Sequence, residues 1–257
     1  MSRFTMFGLT ILIAFAPAVL AVDGTVLINQ STITNGLPNC PTGGHFPVII
    51  CQSGSYRLSG NLTVPDANTD AIDINADNVT VDLNGFSILG PTVCSGSPLT
   101  CSPSSPTASG SGIASTNANI VVMNGQIKGM GFVGIIMFGS NSRVQNINVT
   151  SNGGGGISVA SSSLVSSCTA TSNGGIGIFG LGINLVFTGN GVRLNHADGI
   201  NASQSAVISG NSAVSNEQFG IRTGCPGLIS GNVASFNTLG NIAAIGSNCV
   251  LVNNAVP

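Results

Sequence analysis

The sequence predicts an all-β fold, a single-stranded parallel β-helix of about seven or eight coils, and three observations support this prediction. An Ile that follows a Gly recurs every 21 or 22 residues, and Asn residues recur with the same period. The short apolar segments between them show no helical stripe, and the frequent Gly and Asn disfavour helices. Three short strands and their turns fit such a period, and parallel stacking lets successive coils bury one continuous core.

The repeat is clearest in the Ile that follows a Gly. It occurs at Ile113, Ile135, Ile157, Ile178, Ile200 and Ile221, and Ile242 continues the series after Asn241. An earlier copy, Ile72, lies 41 residues before Ile113, which equals two steps or one step plus an insertion. The segment 90–112, GPTVCSGSPLTCSPSSPTASGSG, has the composition of an inserted loop.

Two columns of Asn accompany the Ile repeat and predict ladders of stacked side-chain amides. The first column comprises Asn124, Asn146, Asn190, Asn211, Asn232 and Asn253, with Cys168 near a missing rung. The second column comprises Asn152, Asn173, Asn195, Asn216 and Asn237. Each amide can donate to one neighbouring rung and accept from the other, and Asn tolerates the left-handed conformation of tight turns.

Two kinds of segment carry a resemblance to a known family. The Gly-Ile and Asn phrases from about Tyr56 to Pro257 resemble the repeats of right-handed parallel β-helix proteins, the superfamily that contains pectate lyases and polygalacturonases. Upstream, GSYRLSGNLTV and ADNVTVDLNGFSI resemble the first coils of secreted bacterial β-helix proteins, most of which have no assigned activity. The resemblance implies a right-handed coil but no reaction, because function resides in sites grafted onto a fold.

The chain divides into three predicted parts. Residues 1–21 carry an early Arg, an apolar stretch and a small-residue cleavage signal, which predict a secretory signal peptide cleaved near Ala21. Residues 22–68 form a predicted N-terminal cap with the first strands, and residues 69–257 form the β-helix with its inserted loop. We therefore expect a protein secreted to the extracellular space or the periplasm.

Most of the seven cysteines are expected to form disulfides in such an oxidising compartment. Two local disulfides are predicted, because each pair brackets a loop: Cys40 with Cys51, and Cys94 with Cys101. The odd count leaves at least one thiol free or intermolecular. The pairing stays open for Cys168, Cys225 and Cys249.

The composition argues against several classes of function. Six Lys and Arg stand against eight Asp and Glu, and the net charge of −2 gives no basic footprint for nucleic acid. After residue 21, no apolar run approaches the roughly 18 residues of a transmembrane helix. No Cys-x-x-Cys pair occurs and there are only two His, so a zinc site is not expected.

One polar cluster falls in register with the repeat. His196 and Glu217 each stand four residues before their Ile, so they should stack on adjacent coils. Asp198 and Arg222 lie within two residues of the same Ile positions. Together these side chains predict a carbohydrate site with catalytic residues, since glycosidases work with carboxylates. The alternative is an exposed turn that tolerates polar residues.

A second candidate site is the segment DANTDAIDINAD at 66–77. Four carboxylates within it could hold Ca²⁺: Asp66, Asp70, Asp73 and Asp77. Their spacing is not that of an EF-hand loop, and Asp and Asn are also ordinary turn residues. No cofactor other than this possible Ca²⁺ is expected.

Aliphatic pairs that follow most of the Ile anchors predict an outward stripe beside a core column, because neighbouring strand residues face opposite sides. The pairs are Ile120-Val121, Leu164-Val165, Leu185-Val186, Val207-Ile208 and Leu228-Ile229. The N-terminal segment or the inserted loop could cover this stripe, or the stripe could mediate self-association. The last residues, VLVNNAVP, add an open coil end as a second surface for self-association.

These observations predict a secreted structural, surface, matrix or glycan-binding protein whose partner is a polysaccharide or cell-surface glycan. The alternative is a carbohydrate-active enzyme, either a polysaccharide lyase or a glycoside hydrolase. Carboxylates are scarce in this chain. Their scarcity favours the non-catalytic function, because glycoside hydrolysis requires paired carboxylates.

Overall fold

The computed structural model describes residues 24–37, 40, 45–104 and 107–257. The predicted signal peptide at 1–21 lies outside the described residues. In the described part of the chain, no helix is long and apolar enough to cross a membrane.

Short strands make up nearly all of the regular structure. The N-terminal elements are β1 (Thr25–Ile28), α1 (Thr32–Asn35), β2 (Val48–Ile50), β3 (Gly54–Leu58), β4 (Leu62–Thr63), β5 (Ile72–Ile74), β6 (Val79–Asp82), β7 (Ser87–Leu89), β8 (Val93–Ser95) and β9 (Thr100–Ser102). The central strands are β10 (Ile113–Ser115), β11 (Val121–Lys128), β12 (Ile135–Met137), β13 (Arg143–Thr150), β14 (Ile157–Val159), β15 (Leu164–Ser166), β16 (Thr169–Thr171), β17 (Ile178–Gly180) and β18 (Val186–Thr188). The C-terminal strands are β19 (Gly191–Arg193), β20 (Ile200–Ala202), β21 (Ala206–Ser209), β22 (Ser212–Val214), β23 (Phe219–Gly224), β24 (Gly227–Ser230), β25 (Val233–Ser235), β26 (Gly240–Ile245) and β27 (Cys249–Val252).

The strands stack in parallel on three faces of a β-helix. The first face is a nine-stranded sheet in the order β2-β5-β10-β12-β14-β17-β20-β23-β26. The second face runs β1-β3-β6-β11-β13-β15-β18-β21-β24-β27. The third face consists of β4, β7, β16, β19, β22 and β25, and β11 and β13 reach it with their C-terminal halves. The predicted parallel β-helix is therefore confirmed.

The solenoid has about nine turns rather than seven or eight. The additional turn comes from the region predicted as an N-terminal cap, because Val48 of β2 pairs directly with Ile72 of β5. Ile72 in turn pairs with Ile113, so one coil step plus an insertion separates these two residues. The insertion contains the antiparallel hairpin of β8 and β9.

The Ile column forms one wall of the core, as the period predicted. Successive first-face strands place these residues in register, for example Ile113 beside Ile135 and Ile200 beside Ile221. The members from Ile72 to Ile221 are fully buried, and Ile242 in the last coil is partly buried. Alternation along each strand sends the residue after the column Ile outward, so each first-face strand contributes an outward position to a second column.

The second Asn column forms a buried ladder at the turn between the third and first faces. In each rung the backbone N–H and the side-chain Nδ2 of one Asn both donate to Oδ1 of the next Asn. The Asn173 Nδ2 to Asn195 Oδ1 distance is 3.0 Å. Met130 N–H donates to Asn152 at one end, and Asn237 donates to Asn241 at the other. All five predicted members take part, from Asn152 to Asn237.

The predicted membership of the first Asn column is partly wrong. Asn190, Asn211 and Asn232 do form a buried ladder between the second and third faces, but it continues to Asn254, not to Asn253. The N–H of Cys168 donates to Asn190 Oδ1 at 2.9 Å, so Cys168 does occupy the missing rung.

Asn124, Asn146 and Asn253 instead stand one residue before the ladder position. Their φ angles are 61°, 53° and 53°, the left-handed conformation of the tight turn. Other coils use Gly at this turn, such as Gly189, which lies just before Asn190. Both adjacent positions favour Asn, the ladder position for its side-chain amide and the turn position for its tolerance of positive φ. The period alone therefore cannot distinguish the two positions.

The disulfides agree with the sequence prediction and complete it. The two predicted bonds form, between Cys40 and Cys51 and between Cys94 and Cys101. A third bond joins Cys225 to Cys249, and Cys168 is a free, buried thiol. Burial raises the pKa of the Cys168 thiol to about 11, so this residue behaves as part of the core.

The predicted aliphatic stripe runs along the second face. Register places Val186, Val207 and Leu228 in one outward column, and Arg143 interrupts it. The inserted hairpin packs elsewhere and leaves this column partly exposed. At the last coil, Leu251 is 52% exposed although the equivalent residue of the previous coil is buried. Self-association through either surface stays a prediction.

Replacing a buried ladder residue should cost more than replacing a turn residue. Asn195→Ala removes the acceptor of two Asn173 groups and two donors, so we expect it to lower the free energy of unfolding by about 2–4 kcal/mol. Asn146→Gly keeps the left-handed turn and should cost under about 1 kcal/mol. Guanidinium unfolding measures both. Equal losses would contradict the assignment of the two columns.

Candidate functional site

The structure brings His196 and Glu217 together, as the sequence predicted. Each follows a ladder residue, Asn195 or Asn216, so the ladder stacks the two side chains on adjacent coils. His196 Nδ1 lies 2.7 Å from Glu217 Oε2. The other carboxylate oxygen of Glu217 accepts a hydrogen bond from the N–H of Leu99 at the tip of the inserted hairpin.

This arrangement fastens the hairpin onto the solenoid. Cys94 Sγ lies 3.7 Å from the carbonyl oxygen of Asn152, and Leu99 contacts Glu217 three coils further on. The hairpin thus lies along the ladder turns and encloses a groove of about 440 Å³ with them. We call the contact of Leu99, Glu217 and His196 the clasp. Both carboxylate oxygens of Glu217 take part in the clasp. A catalytic role for His196 and Glu217 stays a prediction.

Asp198 and Arg222 form a separate pair. The buried Asp198 carboxylate accepts hydrogen bonds from the N–H of Phe219 at 3.0 Å and from Asn201 Nδ2 at 2.7 Å. Arg222 lies 3.9 Å from the same carboxylate, and its guanidinium stands 5.9 Å from the centre of the Phe219 ring. Within the described residues, no side-chain hydrogen bond or ion pair joins this pair to the clasp. The four predicted residues therefore form two contacts that stabilise turns.

The four aspartates of the predicted calcium site do not gather. Asp66 accepts hydrogen bonds within its own turn, from Asn68 and Thr69. Asp77 accepts the N–H of Ala118 in the next coil at 2.8 Å. Across the described part of the chain, no three His, Cys, Asp or Glu side chains are placed to hold a metal ion. The prediction of a four-carboxylate calcium site is therefore wrong, because Asp66 and Asp77 accept hydrogen bonds from turn residues instead.

The remaining two aspartates, Asp70 and Asp73, line a groove of about 390 Å³ on the first face, which we call the acidic groove. Asp73 is the outward residue of β5, between the buried Ile72 and Ile74. Phe132 and Phe138 stand on either side of β12, and Phe138 is 51% exposed. The other lining residues are Asn75, Ser109, Ser111, Ala114, Ser115, Thr116 and Ile136.

The end of the insertion forms one wall of the acidic groove. Ser111 N–H donates to Asp70 Oδ1, and Ser109 N–H donates to the Asn68 side chain. These bonds tie the segment that leaves the hairpin to the loop before β5. The wall shields the carboxylates from solvent on that side.

Asp73 is electrostatically unusual. Burial, and then the negative charge of Asp70, raise the pKa of Asp73 to about 6. Burial also raises the pKa of Asp70, although the hydrogen bond from Ser111 lowers it. Asp73 Oδ1 is buried with no hydrogen-bond partner among the described residues. A buried acceptor without a partner is uncommon in folded proteins, and raised carboxyl pKa values are frequent at functional sites.

Sequence reasoning selected Asp70 and Asp73 for another role and missed the aromatic residues. Phe132 and Phe138 lie three residues before and three after Ile135, outside the repeating Ile and Asn columns. The one available signal was Asp73 itself, a charged residue in the outward position of an Ile-Asp-Ile strand. The groove could not be predicted because its wall comes from the insertion.

Comparison with known proteins identifies the fold. No protein-family model matches this chain, and no curated protein does. Among solved structures, the A-module of the Azotobacter vinelandii mannuronan C-5 epimerase AlgE4 is similar, with 13% identity and a TM-score of 0.54 over 79% of this chain and 68% of the module. The Dettilon tailspike protein is similar with 15% identity and a TM-score of 0.56. That match covers 82% of this chain, which spans only 52% of the tailspike chain.

These likenesses define the class of protein as a right-handed parallel β-helix, as the resemblance in the sequence implied. The disulfides fit an extracellular or periplasmic location.

Loss of the clasp should release the hairpin without unfolding the solenoid. Glu217→Ala removes the acceptor of Leu99 N–H, so we expect amide hydrogens of residues 93–102 to exchange about fivefold faster or more. Exchange in the ladder around Asn173 should stay unchanged. Hydrogen–deuterium exchange with mass spectrometry measures this, with Gln218→Ala as the control. Unchanged exchange in the hairpin would show that other contacts hold it.

The raised pKa of Asp73 predicts a pH-dependent stability. The folded-state pKa of about 6 exceeds the unfolded value of 3.8, so the contribution of Asp73 to stability is fully present below pH 3.8 and is lost as pH rises through 6. Because the side chain is only half-buried, we expect a loss on the order of 1 kcal/mol. Asp73→Asn should recover this loss at pH 8, and Asp66→Asn is the matched control. Guanidinium unfolding at several pH values measures it; a destabilised Asp73→Asn at pH 8 would contradict the assignment.

Proposed function

We propose that this chain is a carbohydrate-binding β-helix whose binding site for a neutral saccharide chain is the acidic groove. The observation that carries the proposal is the unpaired, buried Oδ1 of Asp73 in a groove flanked by two Phe rings. The apolar C–H faces of sugar rings pack on aromatic side chains, and their hydroxyls donate to carboxylates. A sugar hydroxyl would supply the partner that Asp73 lacks within the protein.

The fold supports this proposal in a general way. One structural neighbour is named for a polysaccharide, mannuronan, on which that protein acts as an epimerase. The acidic groove itself favours a neutral saccharide, because Asp70 and Asp73 already repel each other and would repel a third negative charge. Asn75, Ser109 and Thr116 line the same groove and add hydrogen-bonding groups for the ligand.

A second candidate function is cleavage of a polysaccharide in the same groove. A carboxyl group with a pKa of about 6 is protonated in part at mildly acidic pH, as a general acid requires. Asp70 supplies the second carboxylate that glycoside hydrolysis requires. This candidate differs from simple binding in one measurable respect, the appearance of product.

Isothermal titration calorimetry with neutral glucan, galactan and mannan tests the proposal. Asp73→Asn and Phe138→Ala should each weaken binding about tenfold or more, since the first replaces a charged acceptor by a weaker neutral one and the second removes an aromatic ring that contacts the sugar. The matched controls are Asp66→Asn and Phe236→Ala, which change the same side-chain types outside the groove.

The outcomes separate the two candidates. New reducing ends or unsaturated product that disappears with Asp73→Asn would establish an enzyme. Binding without product establishes a binding protein. If no neutral polysaccharide binds, or if the controls weaken binding as much as the groove variants, the proposal is wrong.

A further inference from the structure

The third face carries exposed side chains that neither the Asn ladders nor the acidic groove uses. Its inward residues, such as Val149 and Val192, are buried in the core. Its outward residues form two columns in register along β11, β13, β16, β19 and β22. One column reads Gln126, Asn148, Thr169, Gly191 and Ser212, and the other reads Lys128, Thr150, Thr171, Arg193 and Val214.

The second of these columns has a cation near each end. Lys128 pairs in register with Thr150, Thr150 with Thr171, and Thr171 with Arg193. Three strand steps therefore separate Lys128 from Arg193, which is about 14 Å along the solenoid. Both side chains are exposed, and two Thr hydroxyls stand between them.

The two cations have no acidic partner in the described part of the chain. By contrast, Arg57 pairs with Asp82 at 3.6 Å and Arg222 with Asp198 at 3.9 Å. None of the described third-face strands contains an Asp or Glu. The face is thus positive in a chain whose net charge is −2.

A recess lies between the two columns. Gly191 has no side chain, while its register neighbours Thr169 and Ser212 project outward. The resulting groove has a volume of about 380 Å³. Asn148, Thr171 and Arg193 also line it, so it offers amide, hydroxyl and guanidinium groups together.

We propose that the third face binds an acidic polysaccharide chain that lies along the solenoid axis. Lys128 and Arg193 pair with anionic groups about 14 Å apart on this chain, and Arg adds a fork of donors that fits a carboxylate or sulfate. Asn148, Thr169 and Thr171 bind the sugar hydroxyls between them. The described residues that line this groove include no aromatic side chain on which bases could stack, which disfavours a single-stranded nucleic acid as the partner.

Binding of defined oligosaccharides tests this proposal. The probes are an oligouronate hexasaccharide, the uronate disaccharide, a sulfated hexasaccharide and a neutral hexasaccharide, all titrated at about 50 mM salt. The hexasaccharides with carboxylate or sulfate should bind, and the disaccharide should bind more weakly. The neutral hexasaccharide should not displace the bound acidic hexasaccharide. Preference for the carboxylated or the sulfated chain identifies the anionic group.

The variants are Lys128→Gln, Arg193→Gln and Thr171→Glu, each exposed or half-exposed and therefore compatible with folding. Each should weaken binding of the acidic hexasaccharide about tenfold, and salt should weaken wild-type binding further. Arg143→Gln is the matched control, because Arg143 is an exposed cation on the second face. Melting temperatures measured alongside confirm that the variants are folded.

Three results would overturn the proposal. They are unchanged affinity in the Lys128 and Arg193 variants, an equal loss with Arg143→Gln, or tighter binding of a single-stranded oligonucleotide than of any acidic saccharide. Neutral-glycan binding in the acidic groove should be insensitive to salt. The two proposals can therefore fail independently.

Discussion

The register of the coils is the constraint on which the rest of this structure depends, and the buried asparagine ladders hold it. Each rung receives two hydrogen bonds from the preceding coil, one from a backbone N–H and one from a side-chain amide. A coil shifted by one residue would leave those buried groups without partners and turn the core residues outward. The ladders therefore fix which side chains share an outward column, and hence which groups a ligand meets together.

The insertion packs against side chains that the register aligns, and it contributes to two regions of the surface. Its hairpin lies along the ladder turns, where Glu217 accepts the N–H of Leu99. Its final segment, tied to Asp70 through Ser111, forms a wall of the acidic groove. A loop that packs at both ends in this way limits solvent access to Asp73. Burial in this groove and the negative charge of Asp70 raise the pKa of Asp73.

Sequence reasoning predicted the features that repeat and failed where a feature occurs once. The Ile column and the ladder from Asn152 to Asn237 were predictable, because every coil imposes the same requirement on them. The other ladder was placed one residue early at Asn253, since adjacent turn positions both favour Asn. His196 and Glu217 were correctly paired from the period, but the hairpin that occupies Glu217 was not foreseen. The acidic groove combines three separate segments, and no period connects them.

The same register explains how a chain with 5% charged residues can present two faces of opposite charge. Neighbouring members of an outward column stand about 4.8 Å apart, and screening weakens interactions between exposed charges beyond about 10 Å. Asp73 lies on the first face, whereas Lys128 and Arg193 lie on the third face, with the buried core between the sheets. The cations therefore do not neutralise the carboxylates, and the two faces keep opposite charges. Scarcity of charge sharpens this separation, because few other ionic groups compete on either face.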